Sequence, residues 1–165
     1  MALNASTSLP YDASTIVRVF TDEGFIRHMS AHVGGSLESL VVDGDTAGAF
    51  TVTIVRTLPT ERLPDVARKF VGETLSVTQT ERWDPPSPDG GRQSTLEMTV
   101  AGVPLNVTAV QRLIPSGADT VVDLQGAVTS SVPFLGSRIA GAAEPMIGKA
   151  LNVQAAEART WLEQH

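Results

Sequence analysis

Residues 138–151 read RIAGAAEPMIGKAL. Apolar positions recur at helical spacing through this stretch and on either side of it. Leu135, Ile139, Ala142, Met146, Ala150 and Val153 form one series, joined by Ala143, Ile147, Leu151, Ala158, Trp161 and Leu162. The pattern predicts one helix over about 135–163, roughly 43 Å long at 1.5 Å per residue. Yet the stretch contains Gly141, Pro145 and Gly148. An interior proline costs about 3 kcal/mol and each glycine about 1, near 5 in all. Burial of about ten apolar side chains at roughly 1.5–3 kcal/mol each outweighs that. The helix is therefore made by the surface it docks on. A bend at Pro145 lets it follow a curved surface. The small residues at 140–143 and Gly148 either permit close approach or leave space unfilled beneath.

The chain upstream supplies such a surface. Leu3 to Leu9 reads as a first strand, ended by Pro10 and Tyr11. Asp12 is an N-cap candidate just before Ile16, Val17 and Phe20, and Thr21 and Asp22 offer a second cap for a short helix at about 23–31. Gly34 and Gly35 stop it. Ser36 to Val42 is a strand, with a turn signal at Asp43-Gly44-Asp45. Phe50, Val52 and Ile54 alternate with Thr51, Thr53 and Val55, and Pro59 ends that strand. Pro64 fits the first turn of a short helix reaching about Phe70, closed by Gly72.

Leu75, Val77, Gln79, Glu81 and Trp83 then share one strand face. Residues 84–92, DPPSPDGGR, form a loop by composition, either covering an entrance or serving as a floppy hairpin end. Leu96, Met98 and Val100 alternate with polar residues, and two further strands at about 103–114 and 119–130 are divided by Pro115-Ser116-Gly117. The order predicts a single α+β domain over 1–165: one curved antiparallel sheet of about seven strands, two short helices after the first strand, and a long C-terminal helix laid against the sheet.

Bulk properties narrow the function classes. The chain has 165 residues, enough for a core without staples. It has no cysteine, so thiol chemistry is excluded. The first residues, MALNASTSLP, carry no signal-peptide pattern. No apolar run approaches the roughly 18 residues of a membrane span. A soluble cytoplasmic protein is expected. The net charge of −6, with no basic cluster, disfavours nucleic acid as a partner. Ten arginines against two lysines fit a GC-rich genome.

The element order resembles the helix-grip fold of the START and pollen-allergen superfamily (SRPBCC) over essentially the whole chain. Three blocks narrow the likeness: FVGETLSVTQTERW at 70–83, AGVP at 101–104 and VPFLG at 132–136. Together they resemble the actinobacterial domain-of-unknown-function family 2505. The resemblance implies a sheet wrapped around the last helix, enclosing a cavity. It implies binding of lipids, sterols, polyketides or other apolar molecules, since the superfamily binds these; some members are cyclases, dehydratases or hydrolases. No catalytic residue set of the superfamily maps onto this chain.

Candidate site residues follow from facing. Gln79 and Glu81 continue an apolar face that ends in Trp83, and Arg56 continues the face of Phe50, Val52 and Ile54. One reading makes them the polar end of a pocket, where a buried Arg and Glu need each other. The favoured reading puts all three at strand ends, reaching solvent as a rim, because alternation predicts facing but not depth. Trp83 is foremost a packing residue, and Met98 and Met146 are core fillers that also suit an adaptable pocket wall. His28 and His32, four apart, match zinc spacing. They lack a third ligand and a zincin glutamate, so surface histidines favoured by the helix dipole are the simpler reading, and neither metal nor cofactor is expected. The sequons at Asn4 and Asn106 matter only in a secreted protein. The expected partner is an apolar or amphipathic small molecule, lipid or polyketide-like. A noncatalytic binding protein is favoured over a cyclase- or dehydratase-type enzyme using Glu81 or a histidine, and over an interaction module.

Overall fold

A computed structural model describes residues 2–62, 65–68, 72 and 74–164; the side chains of residues 2, 3, 62, 66, 67, 143, 146, 147 and 151 lie outside that description. Strand β1 (Ala2–Leu9) leads into helices α1 (Ala13–Phe20) and α2 (Glu23–His32). Asp12 caps α1, accepting a hydrogen bond from Thr15 N at 2.8 Å, and Asp22 caps α2 through Phe25 N at 3.1 Å. Each bond satisfies an N–H group that a helix start leaves free. Bonds from the Thr15 hydroxyl and amide hold the Asp12 carboxyl below its usual pKa. Asp12→Ala is expected to destabilise the fold by about 1 kcal/mol at neutral pH, read as a lower thermal midpoint. The difference from wild type fades as pH falls through the lowered Asp12 pKa.

Helix α2 ends in a Schellman motif. Gly35 N donates to Ser30 O and Gly34 N to Ala31 O, both at 2.9 Å, with Gly34 at φ 82°. Gly35 is then pressed against β3: a Cβ there would lie 2.1 Å from the Thr57 carbonyl oxygen. The remaining strands are β2 (Ser36–Gly44), β3 (Phe50–Pro59), β4 (Thr74–Trp83), β5 (Arg92–Val100), β6 (Val103–Ser116) and β7 (Asp119–Ser130). A 3-10 turn at Thr60–Arg62 and a one-turn helix α3 (Asp65–Arg68) separate β3 from β4. The helix expected over 64–70 falls partly outside the described residues.

All pairings are antiparallel, in the order β1-β7-β6-β5-β4-β3-β2. The architecture is the α+β helix-grip fold: a curved seven-stranded sheet around a long C-terminal helix. Gly126 brings β7 close to β6, since a Cβ there would lie 2.2 Å from the Thr108 carbonyl oxygen.

Helix α4 (Gly136–Gln164) runs unbroken through Pro145 and packs chiefly on β1 and β7, touching α1 and α2 as well. Its buried stripe differs in part from the expected one. Ile139, Ala140, Ala155 and Ala158 are buried, whereas Ala142 and Ala150 are exposed. A series drawn from spacing alone drifts off the buried face over a helix this long. Mostly alanine, the described contact face brings the helix backbone close to the sheet. Two apolar clusters result. One gathers α1, α2, Phe50, Val52, Ile54, Trp83 and Ala158; the other gathers Leu96, Val107, Ala109, Leu124, Val128, Ile139 and Ala140.

Candidate functional site

Polar side chains are set into the same inner face that carries the clusters. Cross-strand registry explains their placement. Ile54 pairs with Gln79 and Gln79 with Met98; Val52 pairs with Glu81 and Glu81 with Leu96; Phe50 pairs with Trp83, Trp83 with Ser94 and Ser94 with Gln111. Because side chains alternate faces along a strand, all of these look inward together. Gln79 is 3 % exposed and Glu81 1 %, while Ser94 and Gln111 are also buried. The rim reading is therefore corrected for Gln79 and Glu81. Neither reaches solvent, because the strands around them continue past their level and α1, α2 and α4 close over that face.

Arg56, half-buried, donates from Nη1 to Gln79 Oε1 at 3.4 Å, and Gln79 Nε2 donates to Glu81 Oε1 at 3.3 Å. Arginine can only donate, so the Gln79 amide has one workable orientation in this chain. Charge on Arg56 and Glu81 thus communicates through a neutral amide rather than a direct ion pair. Arg56 Nε has no hydrogen-bond partner among the described residues. Burial lowers the Arg56 pKa, with Glu81 acting against it.

Burial pushes the Glu81 carboxyl up to about 7, against the opposing effects of Trp83, Gln79 and Arg56. Trp83 Nε1 is buried without a hydrogen-bond partner among the described residues. Its N–H is still close enough to favour the carboxylate form of Glu81.

Trp83 stacks on Phe50 with ring centroids 6.0 Å apart and planes at 9°. The Arg92 guanidinium lies 5.9 Å from the Trp83 ring centre and 5.5 Å from that of Phe50. Arg92 also donates to the carbonyls of Asp84, Thr46 and Gly48 at 3.1, 3.1 and 2.9 Å. It ties the β4–β5 hairpin to the β2–β3 turn. Segment 84–92 is accordingly not a floppy end: Ser87 N bonds Gly91 O, and Gly91 N bonds Asp89 Oδ1, both at 2.9 Å.

Met98 is half-buried against the second apolar cluster, beside Gln79. The Met146 side chain lies outside the described residues. Around Glu81 the described walls leave two narrow spaces. One, of about 20 Å³, is lined by Glu81, Gln111, Leu124 and Gln154; the other, of about 10 Å³, by Arg56, Gln79, Glu81 and Gln154. Each is on the scale of one water. Ser94, Gln111 and Gln154 were not singled out in the sequence. Gln111 could have been, since it interrupts an inward series with Leu105, Val107, Ala109 and Leu113.

His28 and His32, one turn apart on α2, face α4. His28 Nε2 is 3.0 Å from Glu157 Oε2, and His32 Nε2 is 3.9 Å from Glu157 Oε1. The His28 ring also meets Trp161 at 5.7 Å. The pair thus clasps α2 to α4. No group of three metal-ligating side chains converges among the described residues, and no described helix is long and apolar enough to cross a membrane.

Comparison with known proteins agrees with this architecture. The family described as "Protein of unknown function (DUF2505)" matches residues 4–162. Uncharacterized proteins of Mycobacterium tuberculosis and Mycobacterium bovis are 27 % identical over 121 residues, covering 71 % of this chain and 67 % of theirs. Among solved structures, a Thermus thermophilus protein superposes with a TM-score of 0.60 at 12 % identity, covering 97 % of this chain and 95 % of that one. Truncated norcoclaurine synthase from Thalictrum flavum gives 0.54 at 14 % identity, covering 98 % and 92 %. At these identities the likeness is one of fold.

Proposed function

The chain belongs to the DUF2505 family, and we propose that it binds an apolar or amphipathic small molecule between the concave sheet and α4, with Arg56, Gln79 and Glu81 as polar contacts. The observation that carries this reading is the Arg56–Gln79–Glu81 chain, with Gln79 and Glu81 fully buried, on the inner face with Ser94, Gln111 and Gln154. A purely structural interior gains little from such groups, because apolar residues of similar volume are commonly as stable or more so. The polar groups orient a guest, and the apolar clusters on either side supply the affinity. The narrow spaces around Glu81 require α4 to shift on β1 and β7 when the guest enters. Trp83, Met98 and Met146 are kept as candidate contacts.

Native mass spectrometry of freshly purified protein is expected to show one retained small molecule, released on denaturation. Nile red is expected to bind saturably, and Gln154→Trp, filling the spaces beside Glu81, to weaken that binding about tenfold. No retained mass together with no saturable dye binding would remove the reading.

A second reading, a cyclase- or dehydratase-type enzyme, is favoured by one observation. Glu81 has a pKa of about 7 and lies within hydrogen-bond reach of Gln79, which suits a general acid or base at neutral pH. Glu81→Gln that keeps ligand affinity but loses ligand turnover would select it; unaltered ligand recovered from both proteins would reject it.

A further inference from the structure

Near neutral pH the interior around Glu81 holds a positive charge that is not fully matched. Among the described residues Arg56 forms no ion pair. Its Nη1 is used on Gln79, whereas its buried Nε is left over. Gln79 is neutral: its amide oxygen accepts from Arg56 and its amide nitrogen donates to Glu81. Glu81 is the carboxyl that acts on Arg56, and with a pKa of about 7 it is mostly protonated at pH 6. The other side chains lining the two spaces, from β1, β5, β6, β7, α1, α2 and α4, are all uncharged. Arg56 is thus the charged group that faces Glu81 among the described residues.

This donor set selects the polar end of a guest. A guanidinium only donates, and a protonated carboxyl donates through its O–H. Together they suit an acceptor that carries a single negative charge. An ammonium group would meet Arg56 as a like charge, and an alcohol would leave the guanidinium unbalanced. A carboxylate answers both. Once in place, it penalises ionisation of Glu81 beside it, so that Glu81 holds its proton to higher pH.

We propose, on the strength of the binding site inferred above, that the guest's polar end is a carboxylate held by the Arg56 guanidinium and the Glu81 carboxyl, and that Glu81 takes up a proton as it binds. The apolar part of the guest lies along the clusters on either side.

The test is calorimetric titration with decanoate and n-decanol at pH 6 and pH 8, in two buffers of different ionisation enthalpy. At pH 6 decanoate is expected to bind at least about tenfold more tightly than decanol. From pH 6 to pH 8 the affinity for decanoate is expected to fall about tenfold, because free Glu81 loses its proton over that range, while that for decanol stays level. At pH 8 the heat for decanoate is expected to vary with the buffer, which reports the proton taken up. Glu81→Gln is expected to bind decanoate equally at both pH values, and Arg56→Gln to bind it no better than decanol. Should Arg56→Gln fail to fold, the pH profile of the wild type still decides. Saturable decanol binding with decanoate no tighter would overturn this proposal and leave the binding site standing, whereas failure of both probes would remove both. A decanoate affinity independent of pH in the wild type, or a preference that survives Arg56→Gln, would also overturn it.

Discussion

Trp83→Ala lowers the free energy of unfolding by about 3–5 kcal/mol, the range for deleting a large buried aromatic side chain. Trp83 is 2 % exposed and lies against Phe50 and Arg92, so its removal opens a cavity that three strands border. Arg92 is pinned by three carbonyls and cannot collapse into the gap. Trp83→Phe separates packing from polarity. It keeps a stacked ring while discarding an N–H that has no good partner, so its cost is expected to be about 1 kcal/mol. Urea denaturation at pH 7 checks both variants. A loss below about 1 kcal/mol for Trp83→Ala would show that this end of the core is not packed as described.

Stability also depends on pH through Glu81. Its folded pKa of about 7 lies above the ordinary 4.5, so between those values the folded chain holds a proton that the unfolded chain has lost. This group therefore favours the folded state most at low pH. The contribution falls as pH rises from 4.5 towards 7 and then levels off. The total is about 3 kcal/mol. Glu81→Gln imitates the protonated form and removes the term. Relative to wild type it is expected to be near neutral at pH 4.5 and more stable by about 2–3 kcal/mol at pH 8. Taking the difference between the two proteins cancels the opposite slopes of carboxylates such as Asp12, whose folded pKa is lowered. A difference independent of pH would mean that Glu81 is solvated.

Much of the fold was legible from local chemistry. Asp12, Asp22, Gly34 and Gly35 act as helix ends because caps and left-handed turns depend on neighbours within a few residues. Strand faces were legible because a period of two survives any tertiary arrangement. The inward direction of Gln79 and Glu81 came from that period. Their depth did not, because it depends on how far β3 and β5 extend alongside and on what α1, α2 and α4 cover. Arg92 read as loop composition, since its three carbonyl partners come from two separate turns. The clasp of His28 on Glu157 spans 129 positions, which no local spacing encodes. The face of α4 was only partly legible: small residues carry little periodic signal, so Ala142 and Ala150 entered the series although they are exposed.

Residue-specific ¹³C NMR titration of the Glu81 side-chain carboxyl most directly tests whether a protonatable group is sealed beneath α4 at the heart of the site. A midpoint near 7 in the ligand-free protein is the predicted result. A midpoint near the ordinary 4.5 would place water at Glu81 and contradict the buried polar site.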